Sequence, residues 1–304
     1  MKAIDTLNLN SIDAYNKLYG LTTGHPLVTV IDLKKATKRF DRLRMNYGVY
    51  ALYLKNGVGC SIKYGREYYD YQEGTVVCFS PGQTIDVDSS NEPLAPDVVG
   101  LMFHPDLIWG TPLAEKIAGF GYFSYSQREA LHLSDKEKKI FMDCLEKIKD
   151  EIEYPIDSHS TDLISANIQV LLEYLSRFYD RQFITRHNVN SSVVAAFEKQ
   201  LTEIYSGGKT LDEVPKVSYF AEKANLTPGY FGDLIKRETG STPQQIITLK
   251  LIAEAKRRLT ANDNDISVIA YDLGFQYPQH FTRLFKRITG KSPSEFRNEL
   301  LSNN

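Results

Sequence analysis

The sequence predicts an α+β chain in two parts: a β-sandwich or barrel with flanking helices, then an all-helical part in which one unit is written twice. Three observations carry that prediction. Between Pro26 and about Val99, short runs rich in Val, Ile, Tyr and Phe are separated by Gly, Pro, Asn and Asp, the texture of several short strands. Two later stretches, Ser134 to Ile152 and Asp162 to Phe183, repeat apolar residues at helical spacing. From Val217 to Glu299 one pattern recurs after about 50 residues, a period that marks a repeated supersecondary unit. With 304 residues and 42% hydrophobic content, the chain has room for two cores.

Charge and cysteine usage narrow the setting. The net charge is −2, with the part beyond residue 209 about +2 and the rest about −4, so bulk charge alone announces no nucleic-acid partner. No apolar run approaches membrane-spanning length, and the start, Met1-Lys-Ala-Ile-Asp-Thr6, has no signal-peptide core. A soluble, cytoplasmic protein with no membrane partner is expected. Cys60, Cys78 and Cys144 lie far apart without metal-type spacing, and an odd number fits a reducing compartment. Buried thiols are the expectation.

Taken in order, residues 1–25 read as a polar, irregular arm with one short helix around Ser11 to Tyr19. Strand-like runs follow at Leu27–Leu33, Gly48–Leu54, Cys60–Tyr64, Tyr68–Tyr71, Gly74–Gly82, Thr84–Val87 and Val98–Pro105. Ser134 with Glu137 three residues on has capping-box spacing, and Ile140, Phe141, Cys144, Leu145 and Ile148 give the following helix a buried stripe. In the next helix Leu163, Ile164, Ile168, Leu171, Leu172, Leu175 and Phe178 do the same. The resulting boundaries are a β domain over 1–133, a helical segment over 134–185, a polar linker over 186–191 and a helical domain over 192–301. That last domain opens with a helix from Ser192 to Tyr205, ended by Gly207-Gly208.

Each copy of the repeat reads as helix-turn-helix. In the first, Val217, Phe220, Ala221 and Ala224 make one apolar face, and Ala221 and Ala270 are small where two helices must cross closely. Asn225 and Gly274 then stand where the chain must turn through left-handed backbone, which both residue types tolerate. Thr227-Pro228 and Tyr277-Pro278 open the following helices, read as a cap in both copies followed by Pro at the first helical position. Phe231, Leu234 and Ile235 give one of these a buried stripe; Phe281, Leu284 and Phe285 serve the other. Lys236-Arg237 and Lys286-Arg287 stand in step. Between the copies, Pro243 to Leu259 reads as a single linking helix with Ile246, Ile247, Leu249, Ile252, Ala253 and Leu259 on one side. Two helices at a steep angle about a short turn form the unit that lays its second helix in the DNA major groove.

The second copy, Ile269-Ala270-Tyr-Asp-Leu-Gly274-Phe275 … His280-Phe281-Thr282-Arg283-Leu-Phe285-Lys286 … Thr289-Gly290-Lys-Ser-Pro293-Ser-Glu-Phe296-Arg297, resembles the signature of the AraC/XylS transcriptional regulators. The resemblance covers about the last 110 residues. It implies a double helix-turn-helix reader of double-stranded DNA, usually at promoters, with RNA polymerase a further partner. The Gly74 to Gly82 element resembles, more distantly, the cupin-like sensor domain that precedes the reader in many of these regulators. By the same analogy the segment 134–185 pairs subunits into a homodimer or else covers the barrel, and the arm folds over the sensor.

The expected DNA contacts on the first recognition helix are Thr227, Gly229, Tyr230, Asp233, Lys236 and Arg237, with Gly232 also facing solvent. Those on the second are Gln279, His280, Thr282, Arg283, Lys286 and Arg287. Arg and Gln make bidentate contacts to guanine and adenine, and only the second helix has both. The first departs from the resembled pattern by carrying glycines and an acid. Asp233 accepts from a cytosine amino group or pairs with Lys236 or Arg237, Tyr230 meets a thymine methyl or the backbone, and Lys236 meets phosphate. In the β part, Tyr47, Tyr50, Tyr53, Tyr64 and Phe79 are either core rings or the lining of a small-molecule effector pocket. Arg42, Arg44 and Arg66 are solvated or anchor an anionic ligand.

His25, His104, His132, His159, His187 and His280 include no close pair, so neither a metal centre nor another cofactor is expected. Asn56-Gly-Val-Gly59 reads as a hairpin turn, and no catalytic constellation is present. The function expected is a non-enzymatic, sequence-specific transcription regulator controlled by a small molecule in the β domain, which shifts pre-existing populations of the readers. The rivals are a regulator controlled by abundance or a protein partner, and a cupin enzyme fused to a DNA-binding domain.

Overall fold

The structure is a computed structural model and describes residues 5–38, 40, 42–55, 74–88, 96–126, 129–185, 187–205, 210–261 and 264–302. The chain divides into two compact units, 1–185 and 186–304. The runs Cys60–Tyr64 and Tyr68–Tyr71, the glycines of 56–59, Arg66 and Gly207-Gly208 lie outside the described residues.

The described strands of the amino-terminal unit form two sheets. β1 (Asp5–Leu9) pairs parallel with β3 (Arg42–Tyr47), which pairs antiparallel with β6 (Thr84–Asp88). The second sheet runs β2 (Val28–Asp32), β7 (Val98–Phe103), β4 (Tyr50–Lys55), β5 (Thr75–Phe79) and β8 (Leu131–His132), every pair antiparallel. One core draws on both sheets: Leu9, Met45, Tyr47 and Ile85 from the first, Ile31, Ala51, Val77, Phe79 and Met102 from the second. β7 lies between two partners and is buried at every position, which is why it reads as an unbroken apolar run. At Gly100 a Cβ would stand 2.0 Å from the Leu52 carbonyl oxygen on β4, so only glycine lets these two backbones meet.

The irregular arm is corrected by the structure. β1 pairs along its whole length with β3, and α1 (Ile12–Tyr19) places Ile12 and Tyr15 in the core. Leu7 and Leu9 alternate with Thr6, Asn8 and Asn10, a period of two too short to stand out in a polar stretch. Ser11 caps α1 by accepting from the Ala14 N–H at 3.2 Å, and Gly20 ends it in left-handed backbone. β3 was also missed. Its Leu43, Met45 and Tyr47 face inward, while Arg44 grips Asp86 on β6 with two hydrogen bonds of 2.6 and 2.8 Å. That pair occupies the Arg44 guanidinium within the sheet.

After β7 come α2 (Pro105–Ile108) and α3 (Pro112–Lys116), then the long α4 (Asp135–Glu153) and α5 (Ser160–Thr185). The capping box at Ser134 and Glu137 forms as its spacing predicts, each side chain reaching the other's backbone N–H. Arg181 on α5 then clamps Glu137 at 3.0 and 2.8 Å and the His132 carbonyl at 2.6 Å. Burial works against ionisation of Glu137, but the Ser134 N–H and the guanidinium hold its carboxyl below the usual range. The predicted stripes of α4 and α5 are buried, except that Ile140 is half-buried and Leu163 faces outward with Val170 and Ile184.

The described residues of the carboxyl-terminal unit form seven helices: α6 (His187–Tyr205), α7 (Val217–Lys223), α8 (Pro228–Thr239), α9 (Pro243–Ala261), α10 (Ile266–Asp272), α11 (Pro278–Thr289) and α12 (Pro293–Ser302). α6 starts at His187, so helix replaces most of the linker expected over 186–191. Phe197 of α6 packs edge-on against Phe220 and Phe231 of the first copy, at 4.9 and 5.4 Å between centroids. In the second copy Phe285 takes Phe281 and then Phe296 of α12 at 5.7 and 5.6 Å.

The linking helix needs one correction. Leu249 is 58% exposed and Ala253 is exposed, whereas Leu251, Glu254, Ala255 and Arg258 turn inward with Ile247, Ile252 and Leu259. A buried Glu–Arg pair broke the apolar pattern and shifted the face read from the sequence.

Candidate nucleic-acid interface

Both copies turn as the spacing requires. Asn225 takes φ +55°, the one positive-φ residue other than glycine among the described residues, and Gly274 takes φ +86°. Ala221 and Ala270 are fully buried where α7 and α10 cross their partners. The second helices end alike: Gly240 and Gly290 are left-handed, and Thr239 and Thr289 each donate to the carbonyl four residues back, at 2.7 and 2.8 Å. The helices that follow also start alike. Thr242 with Gln245, and Ser292 with Glu295, form reciprocal capping pairs, a further feature in which the two copies agree.

The starts of the two recognition helices differ. Thr227 accepts from the Tyr230 N–H at 3.2 Å and caps α8. Tyr277 makes no side-chain cap on α11, so the cap is not common to both copies. The Tyr277 ring instead stands 5.5 Å from that of His280 and is 56% exposed. It is a surface aromatic at the mouth of the second helix that was not counted among the readers; its signal was a ring in a position where a hydroxyl serves the other copy.

α11 presents Gln279, His280, Arg283, Lys286 and Arg287 to solvent, with Phe281 and Phe285 wholly buried beneath. Thr282 is half-buried and donates to the Pro278 carbonyl at 3.1 Å, so its hydroxyl hydrogen is committed to the helix. α8 presents much less. Lys236 and Arg237 are exposed, Thr227, Gly229, Gly232 and Asp233 are half-buried, and Tyr230 is 4% exposed. Tyr230 is therefore a core ring and not the solvent-facing residue expected: it sits beside Phe231, Leu234 and Ile235 on the buried side of α8. A Cβ at Gly232 would meet nothing within 4 Å.

The rings expected to line an effector pocket do not gather around one. Tyr47 stacks on Phe79 at 5.1 Å, Tyr53 leans on Phe79 at 5.9 Å, and the Tyr47 and Tyr53 hydroxyls lie 3.3 Å apart. Burial pushes the Tyr47 hydroxyl up to about 12, with the Tyr53 hydrogen bond opposing it. Tyr50 packs elsewhere, stacked on Phe103 at 5.0 Å and edge-on to Phe123. Tyr64 lies outside the described residues. A cleft of about 450 Å³ lies instead along β2 and one face of α4, lined among others by Asn16, His25, Val30, Leu145, Lys149 and Glu153.

Among the described residues no group of three His, Cys, Asp or Glu side chains could hold a metal ion, and no helix is long and apolar enough to cross a membrane. Cys78 and Cys144 are free and buried, and burial pushes both thiols up. Cys60 lies outside the described residues.

Comparison with known proteins gives a helix-turn-helix domain over residues 220–299. The chain is 36% identical over 86 residues to YobQ of Bacillus subtilis, an uncharacterized helix-turn-helix-type transcriptional regulator, covering 28% of this chain and 36% of that one. It is 31% identical over 100 residues to RafR of Pediococcus pentosaceus, a raffinose operon transcriptional regulatory protein, covering 33% and 34%. The C-terminal domain of AraT, a response regulator from Geobacillus stearothermophilus, aligns at 23% identity with a TM-score of 0.32, over 35% of this chain and 84% of that one. The chain thus spans about a third of the length of these two curated relatives.

Proposed function

We propose, from a carboxyl-terminal unit that carries an AraC-type helix-turn-helix domain, that this chain is a sequence-specific, double-stranded-DNA-binding transcription regulator. The observation that carries the reading is α11. Five polar or cationic side chains, Gln279, His280, Arg283, Lys286 and Arg287, share its solvent side while phenylalanines anchor the opposite face. Arg283 and Gln279 are the groups suited to paired hydrogen bonds on guanine and adenine edges, and Lys286 and Arg287 to phosphate. On α8 the contacts reduce to Lys236, Arg237 and the small face around Gly229 and Gly232, with Asp233 a base reader or an ion-pair partner. Relatives named as transcriptional regulators align with about a third of the chain.

The test is selection of a bound duplex from a randomised library, followed by binding of Arg283→Ala to matched and mismatched sites. Lost preference at one base pair supports the assignment; unchanged preference removes it.

The amino-terminal unit, with its two facing sheets, is proposed as the cupin-like sensor, and as a binding domain rather than an enzyme. Its effector site is assigned to the cleft between β2 and α4, where there is room, rather than to the stacked tyrosines. A metabolite that occupies it raises the unfolding temperature by mass action. If no small molecule does so, control by abundance or a protein partner is the better reading. Homodimer formation through α5 is supported by Leu163, Val170 and Ile184, which are exposed on one side of that helix at multiples of seven residues.

A further inference from the structure

A group of charges is buried where the two helix-turn-helix copies join. Glu254 and Arg258 stand one turn apart on α9, each side chain 7% exposed. Glu254 accepts from Arg258 Nε at 2.8 Å and from two nitrogens of Arg257 at 2.7 Å. Arg258 Nη1 in turn lies 3.8 Å from Asp272 Oδ2, on α10 of the second copy. The other Asp272 oxygen accepts from the Thr210 hydroxyl at 2.9 Å, and the Asp272 carbonyl accepts from the Leu211 N–H at 3.0 Å. Residues 210–216 lead directly into α7 of the first copy. Along the same path Glu213 and Val214 lie against the second copy's turn, where a Cβ on Gly274 would come within 2.4 Å of the Glu213 carbonyl carbon.

One aspartate therefore ties three pieces together: the linking helix, the second copy, and the lead-in to the first. Burying such ions costs several kcal/mol each before pairing, and apolar residues of the same volume often do as well or better for stability alone. Fixing a register is the best-attested use of a retained buried pair. Burial works against the Glu254 carboxylate, yet the Arg257 and Arg258 hydrogen bonds hold it below the ordinary glutamate range. α9, 19 residues long, fixes the separation along its axis, while the turns at its two ends leave the rotation of each copy about that axis to side-chain contacts. The charges supply that second constraint.

We propose that Glu254, Arg258 and Asp272 form a clasp that sets the rotational register of α8 and α11, and so the half-site spacing that the protein accepts on duplex DNA. The inference rests on the DNA-binding reading and adds positioning residues to it; none of the three touches a base or phosphate. Changing the spacing by one base pair moves a half-site by about 3.4 Å and about 34° around the duplex axis, which a clasped pair of readers cannot follow.

The test uses the full chain and two measurements. The variant is Arg258→Met with Glu254→Gln, which leaves no buried unpaired glutamate and keeps the long side chain of residue 258. First, spin labels carried by non-natural residues at the exposed positions 236 and 286 report the spread of distances between the recognition helices, with no DNA present. The wild type should give one narrow distribution and the variant one at least about twice as wide, helix content unchanged. Second, the duplex selected from a random library is lengthened or shortened by one base pair between its half-sites. The wild type should lose about ten-fold in affinity or more (about 1.4 kcal/mol), the variant less than about three-fold. An unchanged distance spread, or an unchanged spacing penalty, overturns the clasp. If the wild type selects no duplex, the DNA-binding reading fails and the distance spread alone decides the clasp. Should the double variant not fold, Asp272→Asn, at a half-buried position, is read in the same two assays against the same outcomes.

Discussion

The two helix-turn-helix copies share a scaffold and differ in what they show to solvent. Both bury an alanine at the helix crossing, both end the second helix on a left-handed glycine, and both cap the following helix reciprocally. Yet α11 exposes Gln279, His280, Arg283, Lys286 and Arg287, while α8 offers two glycines, a half-buried acid and a basic pair at its end. Packing fixes the buried positions in both copies alike and leaves the outward positions free to differ. The difference between the copies is therefore where sequence preference should reside.

The turn residues give the largest expected contrast. Gly274 combines φ +86° with a contact in which a Cβ would press on the Glu213 and Val214 backbone. Gly274→Ala therefore carries both the left-handed penalty, about 1–2 kcal/mol, and an overpacking penalty, about 1–3 kcal/mol. A loss of about 3 kcal/mol in urea unfolding is expected. Asn225→Ala at φ +55° should cost only about 1 kcal/mol. Equal losses would mean that the Glu213–Val214 contact is not felt, and would weaken the tie between the copies.

The next contrast is in DNA binding. Arg283→Ala should cost about 1–3 kcal/mol at one base pair and relax preference there. Lys236→Ala should weaken all sequences alike and lower the salt slope by about one. Competition binding on matched and mismatched duplexes at several salt concentrations separates the two. Base-specific loss from Lys236→Ala would reverse the assignment of roles.

How much of this was legible in the sequence follows the same division. The repeat was readable because Ala221, Phe231 and Gly240 return as Ala270, Phe281 and Gly290, and helical cores advertise their period. The linking helix was half-legible: its extent was right, but Glu254 and Arg258 are buried as a pair, which hydrophobic counting places on the wrong face. Tyr230 turns inward for the reverse reason, since an aromatic with a hydroxyl satisfies both a surface and a core reading and only packing decides. In the other unit β7, β5 and β2 were plain as apolar runs, while β1 and β3 were hidden by Asn and Arg on their outward face. Tyr47 stacks on Phe79 in the core, with the half-buried Tyr53 tilted against the same ring, because two sheets meet there, and a single strand's composition does not show its facing partner.

A smaller effect tests the helix starts. Thr227→Ala removes a cap on α8 and should cost about 1 kcal/mol. Tyr277→Ala removes no cap on α11, so its effect on thermal unfolding should be well below that. Equal costs would show that the Tyr277 ring stabilises α11 through His280 as strongly as a hydroxyl cap.

The smallest effect bears on why α8 is so bare. A glycine inside a helix costs roughly 0.5–1 kcal/mol against alanine, and Gly232 has no neighbour within reach of an added Cβ. Nothing among the described residues asks for glycine there. Gly232→Ala should therefore raise stability by about that amount, a shift of a few degrees in unfolding temperature. If the α8 backbone approaches DNA at that point, the same substitution should lower affinity while stability rises. Opposite signs from one methyl group would locate the first copy's contact in its main chain. A stabilised protein that binds every duplex as before would leave Lys236 and Arg237 as that copy's whole contribution, and would concentrate sequence reading in α11.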